Sequence, residues 1–142
     1  MWTNEYTEET DQPAAAVWAA LRALHEGRAN AEGADRFDIH GPFAVGTELS
    51  VTPAGQDTFR STIVELEPER RYADQTSYGD VTLRFAHTLR PLATGGTAVT
   101  HELQISGPGA AEAGPELGPQ ISADFPVAMA ALLQSARTVG RD

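Results

Sequence analysis

The sequence predicts an α+β domain in which a curved, seven-stranded antiparallel sheet wraps around a long C-terminal helix. Three observations lead to this fold class. After an N-terminal strand and a first helix, six strand-like segments follow one another through short turns. Connections this short join antiparallel neighbours rather than parallel ones. The last helical segment is long, and its apolar residues share one face that can cover the apolar face of the sheet.

Length, composition and charge restrict the classes of protein to which the chain can belong. The 142 residues predict a single domain spanning 1–142, large enough to bury a core without covalent staples. The absence of cysteine excludes disulfides and thiolate metal sites. A net charge of −10 argues against a nucleic-acid partner, which a basic surface would attract. No signal-like N-terminal segment or apolar run of ~20 residues is present, so we expect a cytoplasmic protein with no membrane span. Monomer and dimer both fit the sequence.

The N-terminal elements are a strand over 2–10 and a helix over 11–27. Asp11 is the expected N-cap of this helix, Pro13 suits its first turn, and Gly27 is its expected end. For residues 28–35 the sequence is compatible with a second short helix or a loop. The apolar residues of the helix recur at helical spacing and predict a core-facing stripe made of Val17, Trp18, Leu21 and Leu24.

His25 lies in the last turn of this predicted helix, where an imidazole interacts favourably with the helix dipole. We therefore assign it a structural role. His40 stands before the turn at Gly41–Pro42 and is expected to be a loop residue.

The central strands are delimited by glycine and proline turns. They are predicted over 37–40, 47–52, 59–67 and 70–78, followed by two strands and their turn between 81 and 106.

The alternation of apolar residues predicts the register of the last hairpin. Alternation places apolar residues and one histidine on the same face of each strand. Pairing positions whose numbers sum to 188 sets every apolar residue against another, and it sets His87 opposite His101. A slip of one residue would move one strand's apolar set to the polar face, so it is disfavoured. A slip of two residues would keep the faces and make the two histidines diagonal neighbours. The remaining pairs in the predicted register are Leu89 with Val99, Phe85 with Leu103, and Leu83 with Ile105.

The same arithmetic extends to the preceding strands. A two-residue turn at Gly79–Asp80 pairs Tyr72 with His87 and Asp74 with Phe85. A two-residue turn at 68–69 then pairs Ile63 with Asp74, although a bulge in either turn would direct Asp74 to solvent. An apolar pocket with a few convergent polar groups is the usual form of a small-molecule site. The predicted inward face carries His87, His101, Tyr72, Asp74, Thr76 and Tyr78 among Phe59, Ile63, Leu83, Phe85 and Leu103.

The C-terminal third changes composition. The segment GPGAAEAGPELGP after Ile105 is a poor helix, so we expect either an ordinary surface connection or a gate, with Phe43 at the opposite side of a cavity mouth. Residues 120–139 are predicted to be a helix. Pro126 either begins a fresh helix capped by Asp124 or kinks the helix near residue 122. The apolar face of this helix contains Ile121, Phe125, Ala128, Met129, Leu132, Ala136 and Val139, with Leu133 at its edge.

The order and spacing of these segments resemble the START-like or SRPBCC superfamily, in particular its bacterial polyketide cyclase/dehydrase and lipid-transport branch. The similar stretches are PAAAVWAAL, GPFAVGTEL, STIVELEPERRY, LRFAHTLRPLATGGTAVTHELQISGP and the proline-containing last helix. The resemblance covers nearly the whole chain. It implies a helix-grip fold around a deep pocket for a hydrophobic small molecule. The fold alone is a poor guide to chemistry.

Three functions follow as hypotheses. The first is binding of a hydrophobic ligand (lipid, aromatic or polyketide-like) between the sheet and the last helix, with Phe43, Phe125 and Met129 added to the lining. The second is a cyclase or dehydratase that uses His87 and His101 as acid and base, with Tyr72 or Tyr78 as a donor and a nearby carboxylate fixing an imidazole tautomer. The third is an interaction module with a vestigial pocket.

The histidine pair also has a plainer interpretation as a cross-strand pair that only packs. Two histidines and a carboxylate can form a metal site, but the sequence shows no recognisable residues that would hydrogen-bond to such ligands and orient them. We therefore predict no metal and no cofactor. The motifs of phosphate-binding loops, serine hydrolases and zinc proteases are absent from the sequence.

Overall fold

A computed structural model describes residues 1–28, 35–53 and 55–139 of the chain. That part contains seven strands and three helices. The N-terminal half comprises β1 (Trp2–Thr10), α1 (Ala14–His25), β2 (Arg36–Ile39), β3 (Glu48–Thr52) and β4 (Phe59–Glu67). The C-terminal half comprises β5 (Arg71–Tyr78), β6 (Val81–Pro91), β7 (Thr97–Ser106), α2 (Ala110–Ser122) and α3 (Phe125–Val139).

The strands form one seven-stranded antiparallel sheet, as the sequence predicts, in the order β1-β7-β6-β5-β4-β3-β2. Alternation along the strands gives the sheet an apolar inner face, and α1 and α3 contribute apolar side chains to the same core. Met129, Leu132 and Ala136 of α3 are buried there against residues of α1 and of the central strands. The long last helix therefore covers the sheet together with α1, which the sequence does not assign to this layer.

The predicted register of the last hairpin is confirmed. His87 pairs with His101, Phe85 with Leu103, and Leu89 with Val99. The neighbouring pair of strands also follows the predicted register, with Tyr72 opposite His87 and Asp74 opposite Phe85.

The β4–β5 pair reaches the predicted register by a different route. The strands are joined by three residues, since Glu67 pairs with Arg71, and Glu69 in this turn has a φ of 63°. A bulge between Ile63 and Glu65 then absorbs the extra residue, so that Ile63 pairs with Asp74. The prediction of a two-residue turn is wrong, but the bulge cancels the error. Asp74 remains on the inner face.

The start of α1 differs from the prediction. Asp11 is not the N-cap of α1: Pro13 occupies that position, no side chain caps the helix, and the Pro13 carbonyl accepts from the N–H groups of Ala16 and Val17. Proline fixes a φ suited to this helix entry, so the helix begins later than the aspartate suggests. The alternatives for 28–35 concern residues that lie mostly outside the described ranges.

The glycine- and proline-rich segment after β7 is a helix, contrary to the prediction. Ala110, Gly114, Gly118 and Ser122 form a buried stripe of small residues at four-residue spacing. A Cβ on Gly114 would lie 2.5 Å from Cβ of Trp2, and one on Gly118 would overlap the Trp2 ring. The glycines thus let α2 approach the Trp2 side chain closely. This packing overrides the low helix propensity of Pro115 and Pro119.

Pro126 begins a fresh helix, which decides between the two alternatives for α3. Helix α2 ends at Ser122 and α3 begins at Phe125, with Pro126 in its first turn, where a missing N–H does no harm. The backbone carbonyl of Asp124 accepts the first bond of the new helix from Ala128. None of the helices in the described ranges is long and apolar enough to cross a membrane.

Candidate functional site

The middle of β6 on its inner face is less well covered than its two ends. Leu83 and Leu89 are buried there, whereas Phe85 and His87 between them keep part of their surface exposed. This is a central strand whose inner face is covered by helices, yet the two side chains at its midpoint keep some contact with solvent. His101 of β7 is beside it, with its ring 4.5 Å from that of His87 in an edge-to-face arrangement.

The two neighbouring imidazoles have unsatisfied nitrogens. Nδ1 of His87 and Nε2 of His101 are buried and have no hydrogen-bond partner in the part of the chain that the structure describes. Burial lowers the pKa of His101 to about 4 and the pKa of His87 well below its usual range, and imidazole neighbours add to both effects. Both rings are therefore neutral near pH 7. A buried nitrogen without a partner lowers the stability of the fold, so each such nitrogen needs an explanation.

A third imidazole joins them from α1. The ring of His25 is 5.3 Å from that of His87 and 4.2 Å from that of Tyr72, and the residue is 2% exposed. Burial lowers the pKa of His25, and the charge of Asp74 only partly offsets this. We call His25, His87 and His101 the imidazole cluster. The sequence assigned His25 only a role at the helix terminus.

A signal for His25 was nevertheless present in the sequence. Val17, Leu21 and His25 follow one another at four-residue spacing, so a histidine on the buried stripe of the helix was predictable. Its spatial neighbours on β5 and β6 were not.

Asp74 forms a separate polar group beside the cluster. Its carboxylate accepts hydrogen bonds from Tyr72 Oη at 2.8 Å and from Ser61 Oγ at 2.7 Å, and all three residues are buried. Burial, together with Asp74, raises the pKa of Tyr72 far above its usual range. The predicted role of a nearby carboxylate in fixing an imidazole tautomer is therefore not seen, because Asp74 binds hydroxyls. The Tyr72 hydroxyl hydrogen is likewise engaged by Asp74.

Aromatic rings surround the polar groups. The Phe43 ring stacks on Tyr72 with centroids 5.6 Å apart, and the Arg22 guanidinium lies 5.2 Å from the centre of the Phe43 ring. On the other side, the Phe125 ring contacts His101 edge-to-face at 6.0 Å. Phe43 and Phe125 thus flank the imidazole cluster from the β2–β3 loop and from α3 respectively.

The other predicted lining residues divide between two core clusters. Ile63, Met129 and the partly buried Phe59 belong to the cluster formed with α1, whereas Leu83, Leu103 and Phe85 belong to the cluster beneath α2. Two of the predicted residues do not join the buried site. Thr76 donates its hydroxyl to the backbone oxygen of Arg60 in an exposed setting, and Tyr78 is 67% exposed at the end of β5. Both positions are on the predicted face, but the covering helices do not enclose this end of the strand.

A surface depression of about 240 Å³ lies away from these residues. It is lined by Arg36, Phe37, Asp38, Ser50 and Thr52, mostly on the solvent-facing side of β2 and β3. None of the predicted site residues lines it. No group of three or more His, Asp or Glu side chains among the described residues is arranged to hold a metal ion.

No family model and no curated protein matches the chain by sequence. Solved structures do match. A Nitrosomonas europaea protein superimposes with a TM-score of 0.72 at 14% identity, covering 99% of this chain and 97% of that one. Norcoclaurine synthase from Thalictrum flavum, in complex with dopamine and hydroxybenzaldehyde, superimposes with a TM-score of 0.70 at 17% identity, covering 99% and 87%. DynU16, from the dynemicin biosynthetic locus, gives 0.69 at 22% identity over 96% of this chain and 47% of its own.

The chain has the helix-grip fold that these solved structures share. The predicted resemblance is thereby confirmed at the level of the fold. In this helix-grip domain, the imidazole cluster lies where the inner face of the sheet meets α1 and α3.

Proposed function

We propose that this helix-grip domain binds a hydrophobic small molecule carrying at least one polar group, in the space between the middle of the sheet and α3. One observation carries the proposal: the partly exposed midpoint of β6 coincides with the two unpartnered imidazole nitrogens of His87 and His101. An apolar ligand surface would fill the space beside Phe85, and its polar group would satisfy the nitrogens.

The ligand classes that we propose are aromatic, polyketide-like and lipid molecules. Phe43, Phe85 and Phe125 supply aromatic surface around the nitrogens. Norcoclaurine synthase, with the same fold, was solved with two small aromatic molecules, dopamine and hydroxybenzaldehyde. At 17% identity this likeness supports the choice of aromatic probes and no particular substrate.

Native mass spectrometry of the protein purified from its natural source tests the proposal directly. We expect a non-covalent small-molecule adduct that is lost from a His87→Leu variant purified in parallel and kept by a His40→Gln variant. His40 is the matched control, because its imidazole is exposed and bonded to Ser50 at 2.8 Å outside the site. A wild-type protein that carries no adduct and shows no thermal shift with 2-naphthol or decanoic acid would instead favour an interaction module with a vestigial pocket.

A second candidate function is acid–base catalysis by His87 and His101, as in a cyclase or dehydratase. Their neutral state supports a role as proton acceptors. The pKa of about 4 for His101 makes that ring a weak base, because general bases work best with a pKa near the working pH. If His87→Gln and His101→Gln both leave the turnover of an identified substrate intact, the catalytic proposal fails while the binding proposal stands.

A further inference from the structure

His25 has a hydrogen-bonding state that its surroundings fix. Its Nδ1 lies 2.8 Å from the carbonyl oxygen of Leu21, one turn back in the same helix. A carbonyl oxygen can only accept, so Nδ1 carries the proton and donates. Because burial keeps the ring neutral, Nε2 then holds a lone pair and is an acceptor.

The ring that carries the acceptor nitrogen is buried. Nδ1 is tied to α1 itself, so the opposite side of the ring, with Nε2, projects away from the helix. The ring contacts there come from the sheet: Phe37 at 4.5 Å, Tyr72 at 4.2 Å and His87 at 5.3 Å. The only carboxylate nearby, that of Asp74 among the described residues, accepts from hydroxyls and cannot donate to Nε2 in its ionised state.

A packing role does not require this chemistry. A phenylalanine at position 25 would make the same ring contacts with Phe37 and Tyr72 without the cost of desolvating a polar ring. The imidazole adds an acceptor on a ring 5.3 Å from that of His87, whose Nδ1 has no partner among the described residues. Imidazole rings from α1, β6 and β7 thus lie next to one another in the imidazole cluster.

We propose that His25 is a ligand-contacting residue of this site, and that its Nε2 makes the site select ligands bearing a hydrogen-bond donor, such as a hydroxyl, over ethers or hydrocarbons of the same shape. The inference rests on the proposed binding function. His87 and His101 can each donate or accept in their neutral forms, whereas His25 can only accept from a ligand. The selectivity for donors is therefore attributed to His25.

A pair of probes tests this inference: 2-naphthol, which has a hydroxyl donor, and 2-methoxynaphthalene, in which a methyl group replaces the donor hydrogen. Titration calorimetry on the wild type is expected to give about tenfold tighter binding of the naphthol, the effect of one hydrogen bond. His25→Phe should reduce that preference to about twofold while it retains binding of the ether. His40→Gln, the matched exposed imidazole, should keep the full preference.

A measurement on the wild-type protein covers the case in which His25→Phe does not fold. In long-range proton–nitrogen NMR spectra, the Nε2 resonance of His25 should move when the naphthol is added and stay in place when the ether is added. Equal affinity for both probes, an unmoved Nε2 resonance, or a full preference in folded His25→Phe would overturn the role of His25 while leaving ligand binding intact. Failure of both probes to bind the wild type would overturn the role of His25 and count against the binding function itself.

Discussion

The imidazole cluster and the contact between α2 and Trp2 lie under the same sheet but differ in packing and in hydrogen bonding. At the α2 contact, Gly114 and Gly118 leave no room even for a methyl group, and the Ser122 hydroxyl both accepts from Asn4 and donates to the Gly118 carbonyl. At the imidazole cluster, two buried nitrogens have no partner in the described part of the chain, and the midpoint of β6 is incompletely covered. The first region is closely packed, and the Ser122 hydroxyl in it is paired. The second contains imidazole nitrogens that form no hydrogen bond within the described part of the chain, a feature typical of binding sites.

The largest expected effect of a single substitution is at the α2 contact. Gly114→Ala should destabilise the fold by about 3 kcal/mol, because its new methyl group would lie 2.5 Å from Trp2 Cβ. On an exposed helix the same change gains about 0.5–1 kcal/mol, so the sign of the effect separates packing from propensity. Urea unfolding measures it.

Glu116→Ala on the exposed side of α2 is the control and should change stability little. In a Trp2→Leu background the cost of Gly114→Ala should shrink, as a double-mutant cycle would report. A Gly114→Ala protein at least as stable as the wild type would contradict the close α2 contact.

The next effect is a loss of stability in acid that originates in the imidazole cluster. The pKa of His101 is about 4 in the folded protein and about 6.5 when unfolded, so the unfolded state binds the proton first. Stability is fully present above about pH 6.5 and falls as the pH approaches 4, by roughly 3 kcal/mol for this residue. His25 and His87, whose pKa values are also lowered, should add to the loss.

Urea unfolding at successive pH values measures this slope. Burial and Asp124 raise the pKa of Asp35 to about 6, and that group acts in the opposite direction, since it gains stability as the pH falls. The difference between the wild type and His101→Leu isolates the histidine. Identical pH profiles for the two proteins would show that His101 does not titrate as described.

A smaller effect is expected where the polar interior is already satisfied. Asp74→Ala removes the acceptor of the Tyr72 and Ser61 hydroxyls and should cost about 2 kcal/mol, because two buried donors lose their partner. Adding Tyr72→Phe and Ser61→Ala to the Asp74→Ala protein would remove both orphaned hydroxyls, and much of the loss should then be recovered. Thermal and urea unfolding of the wild type, the single variant and the triple variant test this; no recovery would mean that the cost comes from the cavity instead.

The smallest effect has the opposite sign. His87→Leu replaces a ring with an unpartnered nitrogen by an apolar side chain of similar volume, and it should stabilise the ligand-free protein by about 1 kcal/mol. The same variant should lose ligand binding. Destabilisation with unchanged binding of 2-naphthol would indicate that His87 only packs, and the contrast between the two regions would lose its basis.

The sequence predicted the strand pairs because their evidence is local. Alternating apolar residues exclude a slip of one residue between β6 and β7, and the register that sets all of them opposite one another brings His87 and His101 together. The sequence does not predict helix α2 because Pro115 and Pro119 lower its helix propensity, and the packing of its small residues against Trp2 depends on tertiary structure. His25 was missed as a site residue because its neighbours on β5 and β6 are determined by how α1 docks, which no local pattern encodes.

The bulge in β4 has a consequence for comparing this chain with its distant structural neighbours. The extra residue of the β4–β5 turn and the residue that compensates for it lie on opposite sides of the segment Glu65–Glu67. Within that segment the side chains have changed faces: Leu66 packs into the core, and Glu65 pairs outside with Arg71 and Arg84. A comparison that assumes unbroken alternation through β4 would place these residues on the wrong side of the sheet. Functional roles should therefore be transferred across this strand by spatial superposition and not by sequence order.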